Sequence, residues 1–185
     1  MVSLSKMGVL QRALLICAAL FVGTLALIFT AGLFLPDHFE VRRTREMQTN
    51  RERLHSLVND LERWREWTIW GDEDETMVLE YSDPSSGVDA WYSWRGEAIS
   101  SGRIQITASD PLKGVWYDMT FAYEPYPMKG ALRYLGAGDA LELEWSLRGE
   151  LDGPLERALG PIIAWRAGAD FDKNLSALAE LLNRD

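Results

Sequence analysis

The feature that most constrains the fold is a long uncharged run near the amino terminus. Between Ala13 and Pro36 the chain reads ALLICAALFVGTLALIFTAGLFLP, without a single charged residue. At 1.5 Å per helical residue, positions 13–35 reach about 34 Å, which is enough to cross a hydrocarbon core of about 30 Å. The run predicts one transmembrane helix, and it divides the chain into an anchor at residues 1–36 and a domain at residues 37–185.

A cleaved signal peptide and a lipoprotein are the alternatives to an uncleaved anchor. Thr30 and Gly32 are small enough for a cleavage site after Gly32. However, the apolar run is long for a signal sequence and continues through LFLP beyond that point. Cys17 would suit a lipoprotein, but Ile16 stands where a small residue is needed. We therefore favour an anchor that stays attached.

The charges that flank the run predict its orientation. Lys6 and Arg12 precede it and favour a cytoplasmic amino terminus. The domain would then lie on the periplasmic side of the inner membrane of a Gram-negative cell. Arg42, Arg43 and Arg45 follow the run and argue more weakly for the opposite orientation. Because residues 37–185 contain no cysteine, the domain requires no particular redox compartment.

The domain is strongly acidic. Residues 37–185 hold 17 of the 19 Lys and Arg residues against all 28 Asp and Glu residues, a formal net charge of −11. This charge repels nucleic-acid phosphate, so we expect no nucleic acid as a partner. It also repels an anionic membrane surface, so we expect the helix alone to hold the domain at the bilayer.

Period-two alternation runs through the middle of the chain. VWYDMTF at 115–121 and LELEWSL at 141–147 alternate apolar residues with polar or tryptophan residues. This pattern is typical of an antiparallel sheet with one buried and one wet face. The expected strands are residues 39–47, 77–81, 89–95, 97–107, 115–121, 130–135 and 141–147.

Helical patterns flank the strands on both sides. Asn50 can cap one or two short helices in RERLHSLVNDLERW. A terminal helix of roughly 20 residues is expected to begin near Pro161, because proline suits a first helical turn. Its apolar positions follow helical spacing and are Phe171, Leu175, Leu178 and Leu182. A sheet covered by one long helix is an α+β plan.

Tryptophans are concentrated at the end of the short helices, in NDLERWREWTIW. Spacing by three predicts that Trp64 and Trp67 share a helical face and close the apolar end of the space between sheet and helix. We expect Trp67 to be mostly buried. Trp70 should lie beyond the helix end, at the mouth of a cavity or on a loop.

Several strings of the domain resemble a known superfamily. They are VNDLERWREWTIW at 58–70, YSDPSSGVDAWYSWRGE at 81–97, SGRIQIT at 101–107, LEWSLRGEL at 143–151 and DFDKNLSALAELL at 170–182. Residues 38–183 resemble the SRPBCC superfamily of START domains, polyketide cyclases and birch-pollen-allergen-like proteins, most closely its bacterial polyketide-cyclase-like branch. The branch often has a proline between the tryptophans, where this chain has Thr68 and Ile69.

The resemblance implies a helix-grip fold, in which a curved antiparallel sheet wraps around a long C-terminal helix and encloses an apolar cavity. The cavity candidates are Trp67, Trp70, Tyr92, Trp94, Ile104, Ile106, Tyr117, Met119, Trp145 and Phe171. Polar-tipped aromatic residues need hydrogen-bond partners, which a cavity with water or ligand can supply. The same alternation would also fill a solid core, and that alternative stays open here.

Residue sets for catalysis are sparse. His38 and His55 are the only histidines, Cys17 is the only cysteine, and no G-x-S-x-G or glycine-rich phosphate loop occurs. We predict no catalytic set, metal or cofactor. The acidic run at 72–75 lacks the spacing of a calcium loop, and Asp118 and Glu144 are expected to pair in solvent with Arg103 or Arg148.

The leading hypothesis is therefore a membrane-anchored domain that holds a small hydrophobic or amphipathic molecule, such as a lipid, in its cavity. A polyketide-cyclase-like enzyme is one alternative, with Tyr92 or Tyr117 as its titratable group. The other is an adaptor module that docks a membrane-associated partner through an apolar patch around Trp91 and Trp116.

Overall fold

The computed structural model of the chain describes residues 8–72, 76–97, 100–123, 126–136 and 141–184. Its helices are α1 (Val9–Gly32), α2 (Arg51–Val58) and α3 (Pro154–Asn183), with two short 3₁₀ helices at Leu61–Glu66 and Ile69–Asp72. Its strands are β1 (His38–Met47), β2 (Val78–Tyr81), β3 (Trp91–Arg95), β4 (Gly102–Asp110), β5 (Gly114–Phe121), β6 (Met128–Leu135) and β7 (Leu141–Glu150).

The uncharged run forms a continuous helix, as predicted. Within α1, residues Gln11–Gly32 are long and apolar enough to cross a membrane by length and composition. The residues of this helix whose burial is described are all exposed except Gly32, whose backbone lies against Pro154. The helix therefore stands apart from the core of the domain.

One seven-stranded antiparallel sheet carries the domain, in the order β1-β7-β6-β5-β4-β3-β2. Strands β2 to β7 follow one another as a meander, and β1 pairs along its whole length with β7. This confirms the antiparallel sheet inferred from alternation. Strand β4 begins at Gly102 rather than at residue 97 and continues past a register shift between Ile106 and Ala108 to Asp110.

The first of the short helices after β1 is capped as the sequence predicts. The Asn50 side chain accepts a hydrogen bond from the Arg53 amide at 2.9 Å and begins α2. Asp60 does the same for the Glu62 amide at 3.1 Å and begins the first 3₁₀ helix. Trp64 and Trp67 therefore belong to a 3₁₀ turn, in which positions three apart eclipse one another, rather than to an α-helical face. Trp67 is 2% exposed, which confirms its predicted burial.

The terminal helix is longer than expected. It begins at Pro154, which occupies the first helical turn after Gly153, and Pro161 lies inside it. The prediction placed the start at the wrong proline, because two prolines seven residues apart both satisfy the rule for a first turn. At 1.5 Å per residue, its 30 residues span about 45 Å. Its predicted core positions, Phe171, Leu175, Leu178 and Leu182, are all buried.

Aromatic side chains form the centre of the core. The Trp145 indole stacks on the Phe171 ring, with centroids 4.2 Å apart and planes 8° from parallel. The Trp145 indole nitrogen donates a hydrogen bond to the Tyr117 hydroxyl at 2.8 Å. Trp64 and Trp67 both pack edge-on against Trp145, with centroids 6.0 and 5.5 Å away. This cluster joins β5, β7, the 3₁₀ turn and α3.

On the opposite face of the sheet, charges pair across neighbouring strands. Asp118 lies opposite Lys129 and is bonded to it at 2.6 Å. Glu144 is buried, lies opposite Arg133, and binds both Arg133 and Arg42. The predicted pairing with Arg103 or Arg148 is wrong, because strand register places other cations directly beside these carboxylates.

The aromatic cluster predicts a large and local stability effect. Trp145→Ala removes a fully buried ring and leaves a void against Phe171, so the free energy of unfolding should fall by about 3–5 kcal/mol. Chemical denaturation of the full chain in a mild detergent measures it. Trp165→Ala removes the same side chain type from an exposed site and should change stability by less than about 0.5 kcal/mol. Equal losses in the two variants would contradict the assignment of Trp145 to the core.

Candidate functional site

A cavity of about 600 Å³ lies between the sheet and the first half of α3. Every strand contributes to its wall, and α3 closes the other side. The side chains that line it are mostly apolar. They include Phe39, Leu61, Trp64, Trp70, Met77, Leu79, Tyr81, Tyr92, Trp94, Ile104, Met119, Phe121, Met128, Leu147, Ile163, Ala167 and Phe171.

The side chains that α3 turns inward explain why the protein does not fill this space itself. In the first half of the helix the inward positions are occupied by Gly160, Ala164 and Ala167. In the second half they are occupied by Phe171 and the buried leucines that follow it. The side chains of the second half therefore fill the space above the sheet, whereas the inward side chains of the first half are too small to fill it.

Six of the ten residues predicted from the sequence lie on the cavity wall. These are Trp70, Tyr92, Trp94, Ile104, Met119 and Phe171. The other four, Trp67, Ile106, Tyr117 and Trp145, are buried in the packed aromatic end of the core. Alternation along a strand identifies the inward face, but the helix above decides whether an inward side chain meets another side chain or open space.

The absence of a side chain at Gly102 allows the Trp94 indole to form part of the cavity wall. Gly102 lies opposite Trp94 in the pairing of β3 with β4. A Cβ atom at this position would overlap the Trp94 indole, so the indole lies flat across the neighbouring strand. Its nitrogen donates a hydrogen bond to the Ser100 carbonyl at 2.7 Å, which fixes the ring in the wall.

Two phenol groups are among the polar elements of the apolar wall. The rings of Tyr81 and Tyr92 lie 5.7 Å apart, on paired positions of β2 and β3. Burial raises the pKa of the Tyr92 hydroxyl, and burial also raises the pKa of the Tyr81 hydroxyl against the opposing charge of Arg65. Within the described part of the chain, neither hydroxyl has a hydrogen-bond partner. Both are protonated at neutral pH and can donate to a bound molecule.

Exposed side chains mark the mouth of the cavity. Tyr123 is 85% exposed, and Arg65, Ile163 and Arg166 are exposed beside it. Asp170 also lines this region and lies 3.6 Å from Lys173. The mouth therefore combines two cationic side chains and one carboxylate with apolar side chains, while the interior is apolar apart from a few polar groups.

A polar cluster that the sequence did not reveal lies outside the cavity. His55 Nδ1 is 2.9 Å from the Tyr134 hydroxyl, and its Nε2 is 3.4 Å from Ser109 Oγ. Ser109 donates to Asn59 Oδ1 at 2.6 Å, so the serine proton is directed away from the histidine. The cluster links α2 to β4 and β6. The two residues of each contact are 50 to 79 positions apart in the chain, so no local motif could have grouped them.

The surface positions proposed for an adaptor are only half exposed. Trp91 lies beneath the Arg103 guanidinium, 4.2 Å from the ring centroid, and Trp116 is half-buried on β5. In the described part of the chain, the domain's large exposed apolar side chains include several on the first half of α3 instead.

The acidic run at 72–75 falls mainly outside the described residues. Among the residues that are described, no three His, Cys, Asp or Glu side chains form a group that could hold a metal ion.

Solved structures share this fold at low sequence identity. A Chromobacterium violaceum protein is 16% identical, with a TM-score of 0.58, over 79% of this chain and 98% of its own. DynU16 of the dynemicin biosynthetic locus is 13% identical (TM-score 0.56), and the match covers 80% of this chain but 48% of DynU16. The Aha1 dimer from Colwellia psychrerythraea is 10% identical (TM-score 0.56), over 77% and 95% of the two chains.

These similarities show the fold alone and confirm the helix-grip arrangement of sheet and terminal helix. Comparisons with protein-family models and with curated proteins give no match.

The His55 cluster predicts a pH dependence of stability. Burial lowers the pKa of His55 from its ordinary value of 6.5, although Asp110 opposes the shift. The unfolded chain then binds this proton more readily, so the free energy of unfolding should fall as the pH drops below about 6.5. Denaturation of the wild type and of His55→Gln, at several pH values from about 7.5 to 5, measures the effect. The variant should lose less stability over this range; an identical slope would contradict the shift.

Proposed function

We propose that this chain is a membrane-anchored domain that binds one small hydrophobic or amphipathic molecule in the cavity between its sheet and α3. The observation that carries the proposal is a cavity of about 600 Å³ with an apolar wall and two phenol hydroxyls, which have no hydrogen-bond partner among the described residues. Pockets for small ligands have volumes of about 300–1,000 Å³, are largely apolar, and present a few polar groups. A lipid or another molecule with a long apolar body matches this chemistry.

The polar groups suggest how such a molecule would be oriented. Tyr81 and Tyr92 can donate hydrogen bonds to an oxygen atom inside the cavity. Arg65 and Arg166 stand at the mouth, where they suit a carboxylate or phosphate that remains in contact with water. The favoured ligand therefore has an apolar chain and at least one oxygen-bearing group.

A cyclase-like enzyme is the second candidate, as the sequence resemblance to the polyketide-cyclase-like branch of the SRPBCC superfamily suggests. The fold similarity to DynU16, a protein of the dynemicin biosynthetic locus, is compatible with it. Tyr92 faces the cavity and could serve as a hydrogen-bond donor to a carbonyl oxygen. Tyr117, the other tyrosine considered, is enclosed by core side chains and bonded to Trp145. Two protonated phenols support binding more directly than acid–base chemistry.

The anchor completes the proposal. We infer that α1 crosses the inner membrane and that the domain lies on the periplasmic side. The arginines that opposed this orientation are engaged within the domain: Arg42 binds Glu144 and Glu40, Arg43 binds Asp172, and Arg45 donates to Ser176. Lys6 lies outside the described residues, and Arg12 lies in the first turns of α1.

Filling the cavity should abolish ligand capture. The full chain, purified in mild detergent and transferred to amphipol, is expected to retain a bound molecule that native mass spectrometry detects. Ala167→Trp places an indole inside the cavity and should release that molecule. Ala177→Trp places the same side chain on α3 away from the cavity and should not. A wild-type chain that carries no ligand, or equal capture by both variants, would contradict the proposal.

The phenol groups should contribute to affinity rather than to the shape of the cavity. Tyr92→Phe keeps the ring in the wall and removes one donor, which is worth about 0.5–1.5 kcal/mol, or roughly a twofold to twelvefold weaker affinity. Competition against the captured ligand, once it is identified by mass, measures the change. Tyr134→Phe removes a phenol hydroxyl outside the cavity and serves as the matched control. Unchanged affinity in Tyr92→Phe would show that the ligand makes no hydrogen bond there.

A further inference from the structure

The outward face of α3 changes character along its length. In the first half it carries Leu155, Leu159, Ile162 and Trp165, which recur at helical spacing. In the second half the same face carries Asp172, Lys173, Ser176 and Glu180. One continuous helix therefore presents an apolar surface followed by a polar one, although both halves belong to the same domain.

The apolar half is not covered by the described part of the domain. Trp165 is 73% exposed and Ile162 is 60% exposed, and Leu155 and Leu159 are each about half exposed. We call these four residues the apolar face of α3. Their contiguity on one helix distinguishes them from the singly exposed apolar residues that are normal on protein surfaces.

This apolar face adjoins the end of the anchor. Helix α1 contacts α3, and the backbones of Gly32 and Pro154 approach so closely that a Cβ atom on Gly32 would overlap the Pro154 carbonyl. On α1, Leu25 and Ile28 are less exposed than Leu20 or Leu27, which identifies the side of the helix that turns towards the domain. The first turns of α3 thus lie beside the last turns of the anchor.

We propose that the apolar face of α3 lies in the surface of the bilayer that α1 crosses. The inference rests on the proposed membrane anchor, because a spanning α1 holds the start of α3 at the level where the span ends. Trp165 has the amphipathic ring that favours the membrane–water interface, and the Arg166 side chain beside it can reach the headgroups. The occupant is therefore lipid rather than a second protein.

The net charge of the domain does not oppose this contact. An acidic domain is repelled by anionic headgroups, and this repulsion favours membrane attachment through α1 alone. The apolar face binds by removing apolar surface from water, which is independent of charge. Attachment would thus involve two elements, the anchor and the first half of α3.

The arrangement brings the mouth of the cavity to the bilayer. Ile163, Arg166 and Ala167 line the cavity and alternate along α3 with Ile162 and Trp165 of the apolar face. A lipid-like molecule could then enter from the bilayer without crossing water. The shared segment of α3 would both contact the membrane and form one side of the entrance.

Fluorescent labels at single cysteines test the contact in the full chain. Cys17, the only native cysteine, lies exposed on α1 and reports on the anchor. In a Cys17→Ala background, Ile162→Cys reports on the apolar face and Lys173→Cys on the polar half of the same helix. Each labelled protein is reconstituted in neutral phosphatidylcholine vesicles. Quenching by a lipid-borne nitroxide is compared with quenching by aqueous iodide.

The labels at positions 17 and 162 should lose fluorescence with the lipid-borne quencher and resist iodide, and the label at 173 should show the reverse. If position 162 behaves like position 173 while Cys17 remains quenched by lipid, the contact of α3 is overturned and the anchor stands. If Cys17 is not quenched by lipid, both the anchor and this inference fail. Neither result alters the test of ligand capture, because that test depends on Ala167 and not on the bilayer.

Discussion

The stacking of Trp145 on Phe171 is the contact on which the rest of the structure depends. It joins the middle of β7 to the centre of α3, and the hydrogen bond from Trp145 to Tyr117 extends the connection to β5. Trp64 and Trp67 pack against the same indole and fix the 3₁₀ turn. This end of the core is solidly packed, so it fixes the distance between α3 and the sheet. In the first half of α3 the inward side chains are too small to fill that distance.

Core and cavity are therefore two outcomes of one pattern. Every strand presents apolar side chains inward, yet only the side chains beneath the second half of α3 meet large side chains from above. Gly160, Ala164 and Ala167 leave the other part open. In a packed interior, voids larger than water are unusual, and one lined by free hydroxyl groups is costly unless a molecule satisfies them. This is the physical basis for the proposal that a ligand occupies the space.

Local patterns were sufficient for the type and order of the main elements of the fold, although they misplaced the starts of α3 and β4. Alternation located the strands, Asn50 indicated the start of α2, and the leucine spacing of α3 identified its core face. The site could be predicted from the sequence only in part. An inward side chain lines the cavity or joins the packed core, depending on whether another side chain lies opposite it. Trp94 and Tyr92 face open space, whereas Tyr117 and Trp145 bond to each other. Strand register likewise determined the partners of Asp118 and Glu144, and composition contains no information about register.

The close approach of Gly32 to Pro154 has a mechanical consequence. A flexible tether would let the domain rotate freely above the membrane, but here two backbones meet without a side chain between them. If α1 spans the bilayer as we propose, α1 and α3 would move together as one lever about this glycine. A bilayer that changes thickness changes the tilt of a spanning helix, and the lever would convert that tilt into rotation of the entire domain. The geometry of the anchor and the direction of the cavity entrance would thus be mechanically coupled.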